Sequence, residues 1–158
     1  MVDNLELAQF IYLILNNHKL RDMITSLTSK LVLILGRFTR DRLDVLESIK
    51  AKTRQSGFIP VIFTFEPSDN RDLTETIQLI AGMAKIVFAD ITEAKSIPQE
   101  LSHIIPNFPS LIIQPLLLKE ETTYSMFEHW EKYTWVRPVF EYYSKQHLIN
   151  NIDKLLNT

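Results

Sequence analysis

Two carboxylates, Asp90 and Glu100, stand ten positions apart around a short connecting segment. Earlier in the chain, Arg37 and Arg40 follow an isolated glycine, Gly36. Such carboxylates suit a reaction that passes through an oxocarbenium-like state at a sugar carbon, where one can stabilise the positive charge or trap the sugar covalently. Arginines and helix N-termini suit phosphates. Together these residue types sketch cleavage of an N-glycosidic bond in a nucleotide. The same residues also fit a structural role, with Asp90 capping a turn and Glu100 complementing a helix dipole from its first turn.

The rest of the composition narrows the chemistry. The chain has 158 residues, 46% of them hydrophobic and 23% charged, with a net charge of −2, which suits one globular domain. Its three glycines, Gly36, Gly57 and Gly82, cannot spell a dinucleotide turn, a phosphate loop or a nucleophile elbow. The absence of cysteine excludes disulfides, thiolate metal sites and thiol nucleophiles, and fits a cytoplasmic, reducing location. His18, His103, His129 and His147 show no metal-ligand spacing, so neither a metal nor a cofactor is expected. The near-neutral balance gives no broad footprint for nucleic acid. By segment it is uneven. Arg37, Arg40, Arg42, Lys50, Lys52 and Arg54 leave residues 31–60 positive, and an excess of carboxylates leaves residues 61–105 negative. The longest apolar run, residues 10–15, is far short of the ~20 residues of a bilayer span, and it lacks the flanks of a signal peptide.

Those residues must be positioned by regular elements, and the hydrophobic pattern predicts them. Leu5, Ala8, Ile11, Tyr12 and Leu15 recur at helical spacing, as do Leu7, Phe10 and Ile14. That helix is apolar on more than one face and must bury itself against the domain or another chain. After a break at Asn16 and Asn17, Leu20, Ile24 and Leu27 suggest a second short helix. Residues 31–35 form an uninterrupted apolar run stopped by Gly36, the pattern of a strand buried on both faces. A helix over 41–55 carries Leu43, Leu46, Ile49 and Thr53 on one side. Residues 58–65 form a second strand, and Pro60 within it points to a sheet edge. A helix over 71–84 and a strand over 86–89 follow. Ser96 reads as the N-cap of a helix over 97–105, with Pro98 in its first turn. Residues 111–113 form a fourth strand closed by Pro115, and 135–136 a short fifth. Met126, Phe127 and Trp130 suggest a short helix between them. Leu148, Ile152 and Leu155 mark a last helix.

Alternating apolar strands and helices give an α/β protein: a flavodoxin-like, open, mostly parallel five-stranded sheet of order 2-1-3-4-5, with helices on both faces. An N-terminal helical segment over residues 1–29 precedes the α/β domain of residues 30–158. In this topology ligands bind beyond the carboxyl ends of strands 1 and 3. The loops that meet there supply catalytic candidates Asp90 and Glu100. The candidate binding residues are Gly36, Arg37, Phe38, Arg40, Thr92 and Ser96, with Arg71 bordering the crevice. Arg71 and Asp72 also fit a solvated helix start.

The stretch Ser96-Ile-Pro-Gln-Glu100-Leu101 resembles the Ser…Glu-Leu element of Toll/interleukin-1 receptor-like (TIR-like) domains. It is also distantly similar to a segment of nucleoside deoxyribosyltransferases that ends in Glu-Leu-Gly; here Ser102 replaces that glycine. A longer resemblance runs through residues 4–12, 29–39, 71–76 and 89–92 and this same element. It is to a domain at the C-terminal end of bacterial pentapeptide-repeat proteins. The resemblance implies an N-glycosidase that hydrolyses NAD or a related nucleotide, with Glu100 acting at the ribosyl carbon. In the TIR-like families it equally implies a non-catalytic, self-associating module of bacterial signalling or defence. Self-association would run through the TIR-like domain or the N-terminal helix. Half of the chain's aromatics lie within residues 124–143. They suit a core beneath the last strand, a stacking wall for a base, or an interface.

Overall fold

The computed structural model describes residues 4–64, 71–92, 99–108, 111–119 and 132–157. Two helices come first, α1 (Asn4–Asn16) and α2 (His18–Thr28). Then come β1 (Leu31–Gly36), α3 (Arg40–Gln55), β2 (Ile59–Thr64), α4 (Arg71–Met83) and β3 (Ile86–Asp90). The chain continues with α5 (Gln99–Asn107), β4 (Ile112–Leu118), β5 (Phe140–Tyr142) and α6 (Lys145–Leu156). The five strands form one parallel sheet in the order β2-β1-β3-β4-β5. This is the flavodoxin-like α/β arrangement that the alternating pattern predicts.

The strand side chains divide by parity into two cores. Val32, Ile34, Ile86 and Phe88 pack on Val45, Leu46 and Ile49 of α3 and on Leu148, Ile152 and Leu156 of α6. Leu33, Leu35, Val87 and Ala89 pack on Ile77 and Ala81 of α4 and on Leu101, Ile104 and Ile105 of α5. Burial on both faces is why these strands read as unbroken apolar runs. Pro60 pairs opposite Val32 on the edge strand β2, as its missing N–H requires.

Three expectations are corrected. β4 does not close at Pro115 but runs through it to Leu118. Ile113 exchanges backbone hydrogen bonds with the β5 side, accepting from Arg137 and donating to Trp135. Alternation therefore turns the Pro115 nitrogen to that same side. It falls between the Ile113–Val136 bridge and the β4/β5 ladder that starts at Leu116, so no ladder donor is lost. The fifth strand is not at 135–136, where Val136 makes an isolated bridge, but at Phe140–Tyr142 beyond Pro138. On α3 the buried stripe is Arg42, Val45, Leu46, Ile49 and Thr53, with Leu43 only half-buried. The suggested helix at Met126, Phe127 and Trp130 lies outside the described residues, as do the N-cap Ser96 and Pro98.

α6 starts at the N-cap Ser144, whose hydroxyl accepts from the His147 amide at 3.1 Å. No helix among the described residues is long and apolar enough to cross a membrane.

Candidate functional site

β1 and β3 lie side by side, with Leu35 opposite Ala89, so the segments leaving them emerge together. β1 continues the sheet toward β2 and β3 toward β4, which makes this boundary the point where strand order reverses. α3 and α5 both begin at this edge of the sheet, and their first-turn amides are free of intrahelical acceptors.

Asp90 ends β3, in register with Leu116 of β4. It shares parity with Ile86 and Phe88, so its side chain turns to the α3/α6 face, where it is 1% exposed. Its Oδ1 accepts from the Thr92 hydroxyl at 2.6 Å and from the Thr92 amide at 3.3 Å. The Tyr142 hydroxyl donates to the same oxygen at 3.3 Å. Arg42 Nη1 stands 3.5 Å from Oδ2 and donates to the Tyr142 oxygen at 2.7 Å. The Leu118 amide donates to Thr92 Oγ1 at 3.0 Å, which turns that hydroxyl's hydrogen toward the carboxylate. A connected polar group thus ties α3, β3, β4 and β5 together at the carboxyl end of the sheet.

Burial pushes the Asp90 carboxyl above the ordinary carboxylate range. The Thr92 hydrogen bonds and the Arg42 charge pull the other way and are outweighed. Burial, then the neighbouring Asp90 charge, pushes the Tyr142 hydroxyl up to about 12. Tyr142 therefore stays protonated and acts as a donor at neutral pH.

The other candidates divide by position. Asp90 and Thr92 are in direct contact, both buried. Arg37 is half-buried, Phe38 is 40% exposed and Arg40 is exposed, all on the segment between β1 and α3. The cation paired with Asp90 is Arg42, one turn into α3. Gly36 serves packing: a Cβ there would come within 2.8 Å of Leu46 Cδ2 and 2.9 Å of Cδ1. Glu100 is the second residue of α5, beside the fully buried Leu101 that anchors this helix to the α4/α5 core. The side chains of Glu100 and Arg71 and all of Ser96 lie outside what the structure describes.

Two residues of the polar group escape sequence reasoning. Arg42 carries a signal, since it continues the Leu46, Ile49 and Thr53 stripe at helical spacing. Tyr142 carries none, because only the position of β5 decides that Tyr142 turns inward while Tyr143 is 63% exposed. A third, Thr39, is the N-cap residue of α3, and its buried hydroxyl has no hydrogen-bond partner among the described residues. At the same edge, Lys119 Nζ sits 4.5 Å from the Tyr143 ring centroid. Among the described residues no group of histidines and carboxylates could hold a metal ion.

No family model and no curated protein matches the sequence. Solved structures do share its fold. The CMP N-glycosidase BcmB of Clostridium botulinum superposes with a TM-score of 0.57 at 11% identity, covering 79% of this chain and 99% of that one. A diflavin flavoprotein A3 of Nostoc sp. gives a TM-score of 0.60 at 10% identity, covering 80% of this chain and 90% of that one. At these identities the likeness is one of fold.

Proposed function

We propose that this protein is a TIR-like nucleotide N-glycosidase that works at the β1/β3 crevice. One observation carries the reading. Glu100 lies in the first turn of α5, the helix that follows β3, and β3 borders the strand-order reversal with its end pinned by the Asp90 polar group. A fold shared with an N-glycosidase acting on CMP supports the class of reaction.

In this reading Glu100 stabilises or traps C1′ of the ribosyl group as the C1′–N bond breaks and its electron pair leaves with the base. Water then attacks C1′, its oxygen bonding to the carbon and its proton passing to solvent with NAD or, in net terms, to the departing cytosine with CMP, and the carboxylate is restored. Asp90 is a positioning residue, fixed by Arg42, Thr92 and Tyr142, rather than a group that meets the sugar. Arg37 and Arg40 hold phosphate together with the first-turn amides of α3 and the Thr39 hydroxyl. Phe38 and Tyr143 offer exposed rings at this edge for the base, and Arg71 closes over the phosphates. NAD is the substrate expected from the TIR-like resemblance, and CMP is the comparison substrate. The location proposed for this chemistry is the cytoplasm.

The test is release of nicotinamide from NAD and of cytosine from CMP by the wild type and by Glu100→Gln. The expected outcome is a rate loss of at least ~100-fold in the variant, the scale for removing a catalytic side chain of this kind. Equal rates in both proteins with both substrates would refute it.

A further inference from the structure

Among the described residues, the exposed apolar side chains concentrate on the N-terminal helix. On α1, Leu5 is 64% exposed, Leu7 48%, Phe10 52%, Ile11 47% and Tyr12 67%. α1 packs on α2, yet α2 leaves these side chains open and adds Met23, itself 68% exposed, to the surface. Helical spacing places Leu7, Phe10 and Ile11 on one side and Leu5, Ala8 and Tyr12 on another, with only Glu6 and Gln9 in a narrow polar sector between them. A single neighbouring helix cannot cover both sides.

We propose that this surface is covered by a second copy of the chain, the α1–α2 hairpins pairing about a two-fold axis with α1 at the centre. The size fits. At these exposures the side chains present on the order of 700 Å² of mostly apolar area, close to the ~800 Å² that each partner gives a standard interface. The chemistry fits as well. Glu6 is the one charged residue of α1. α1 thus offers no basic residues for anionic headgroups, and the exposed charges of α2, Lys19 and Asp22, are of opposite sign and favour neither an acidic nor a basic partner. Its length of 13 residues is too short to span a bilayer. An isologous contact matches the surface with itself, so one interface satisfies two exposed helices at once. This pairing does not depend on the glycosidase reading, and its readout is mass rather than turnover.

The experiment is sedimentation velocity on the full chain at up to about 100 μM, far above the Kd expected of an interface this size. The wild type should sediment at twice the chain mass. Phe10→Glu combined with Ile11→Lys should return it to the monomer with at least a ~100-fold weaker Kd, since both changes sit in the centre of the patch. Both side chains are exposed, so the thermal midpoint of the monomer should hold. Leu79→Lys, on the exposed side of α4, should leave the dimer intact. Because the chain has no cysteine, Leu7→Cys supplies a single thiol, and oxidation should link two copies through it. A wild type that stays monomeric overturns the proposal, whether or not it pellets with phosphatidylglycerol vesicles. A dimer unchanged by the α1 substitutions overturns it too.

Discussion

Replacing the buried Arg42 with methionine keeps an unbranched aliphatic stem at that position and removes the cation that, among the described residues, pairs with Asp90. The carboxyl, 1% exposed, then faces either an uncompensated charge or a proton. Protonation limits the cost. Holding an aspartate neutral at pH 7, against an ordinary value of 3.8, costs about 4 kcal/mol at 1.36 kcal/mol per pH unit. That ceiling agrees with the ~3–5 kcal/mol lost when a buried ion pair is broken. Near pH 4.5 the same ceiling falls below ~1 kcal/mol. The direction follows from linkage. The folded-state value of Asp90 already lies above its unfolded one. Its contribution to stability is therefore full below about pH 4 and is lost as pH rises through the folded value. Arg42→Met raises the folded value further, so its penalty grows with pH. Urea unfolding at pH 4.5 and pH 7.5 reads this directly, and at neutral pH the melting midpoint should drop by at most about 8–16 °C, since the wild-type fold already bears part of that cost. Asp90→Asn in the same background should remove most of the pH dependence and recover part of the loss. A penalty for Arg42→Met that is the same at both pH values would refute the reasoning. Strict additivity of the two substitutions would do so as well.

Two further perturbations address packing and capping. Gly36→Ala brings a methyl within 2.8 Å of Leu46 Cδ2, a side chain 0% exposed in the core, so chemical denaturation should show a loss of about 1–3 kcal/mol; a neutral result would mean that Leu46 or α3 yields freely. Ser144→Ala removes the acceptor for the His147 amide at the start of α6 and should cost about 1 kcal/mol in the same assay, with Ser144→Asp retaining most of it.

The uninterrupted apolar run of β1 and the edge proline of β2 made the parallel sheet and its strand order legible before any coordinates. Both follow from local physics: a strand covered on two faces has no polar side, and a proline cannot donate to two ladders. Topology also set the ends of β1 and β3 side by side, with Gly36 closing one strand and Asp90 the other. What the sequence could not reveal was which partners meet. Asp90 stands 48 positions from Arg42 and 52 from Tyr142, and no periodicity links residues on separate elements. Their encounter depends on where β5 lies, and β5 depends on the gap that Pro115 and Pro138 open beside β4. The exposure of α1 is of the same kind. Its apolar character is written in residues 5–15, but whether the domain covers it is decided by packing. Among the described residues α2 packs on α1 and leaves most of its apolar side chains exposed. Composition and spacing determined most of the elements and their order in the sheet. Only the tertiary structure decided that Asp90 is held within the fold by Arg42, because burial and pairing are properties of assembled surfaces rather than of any one segment.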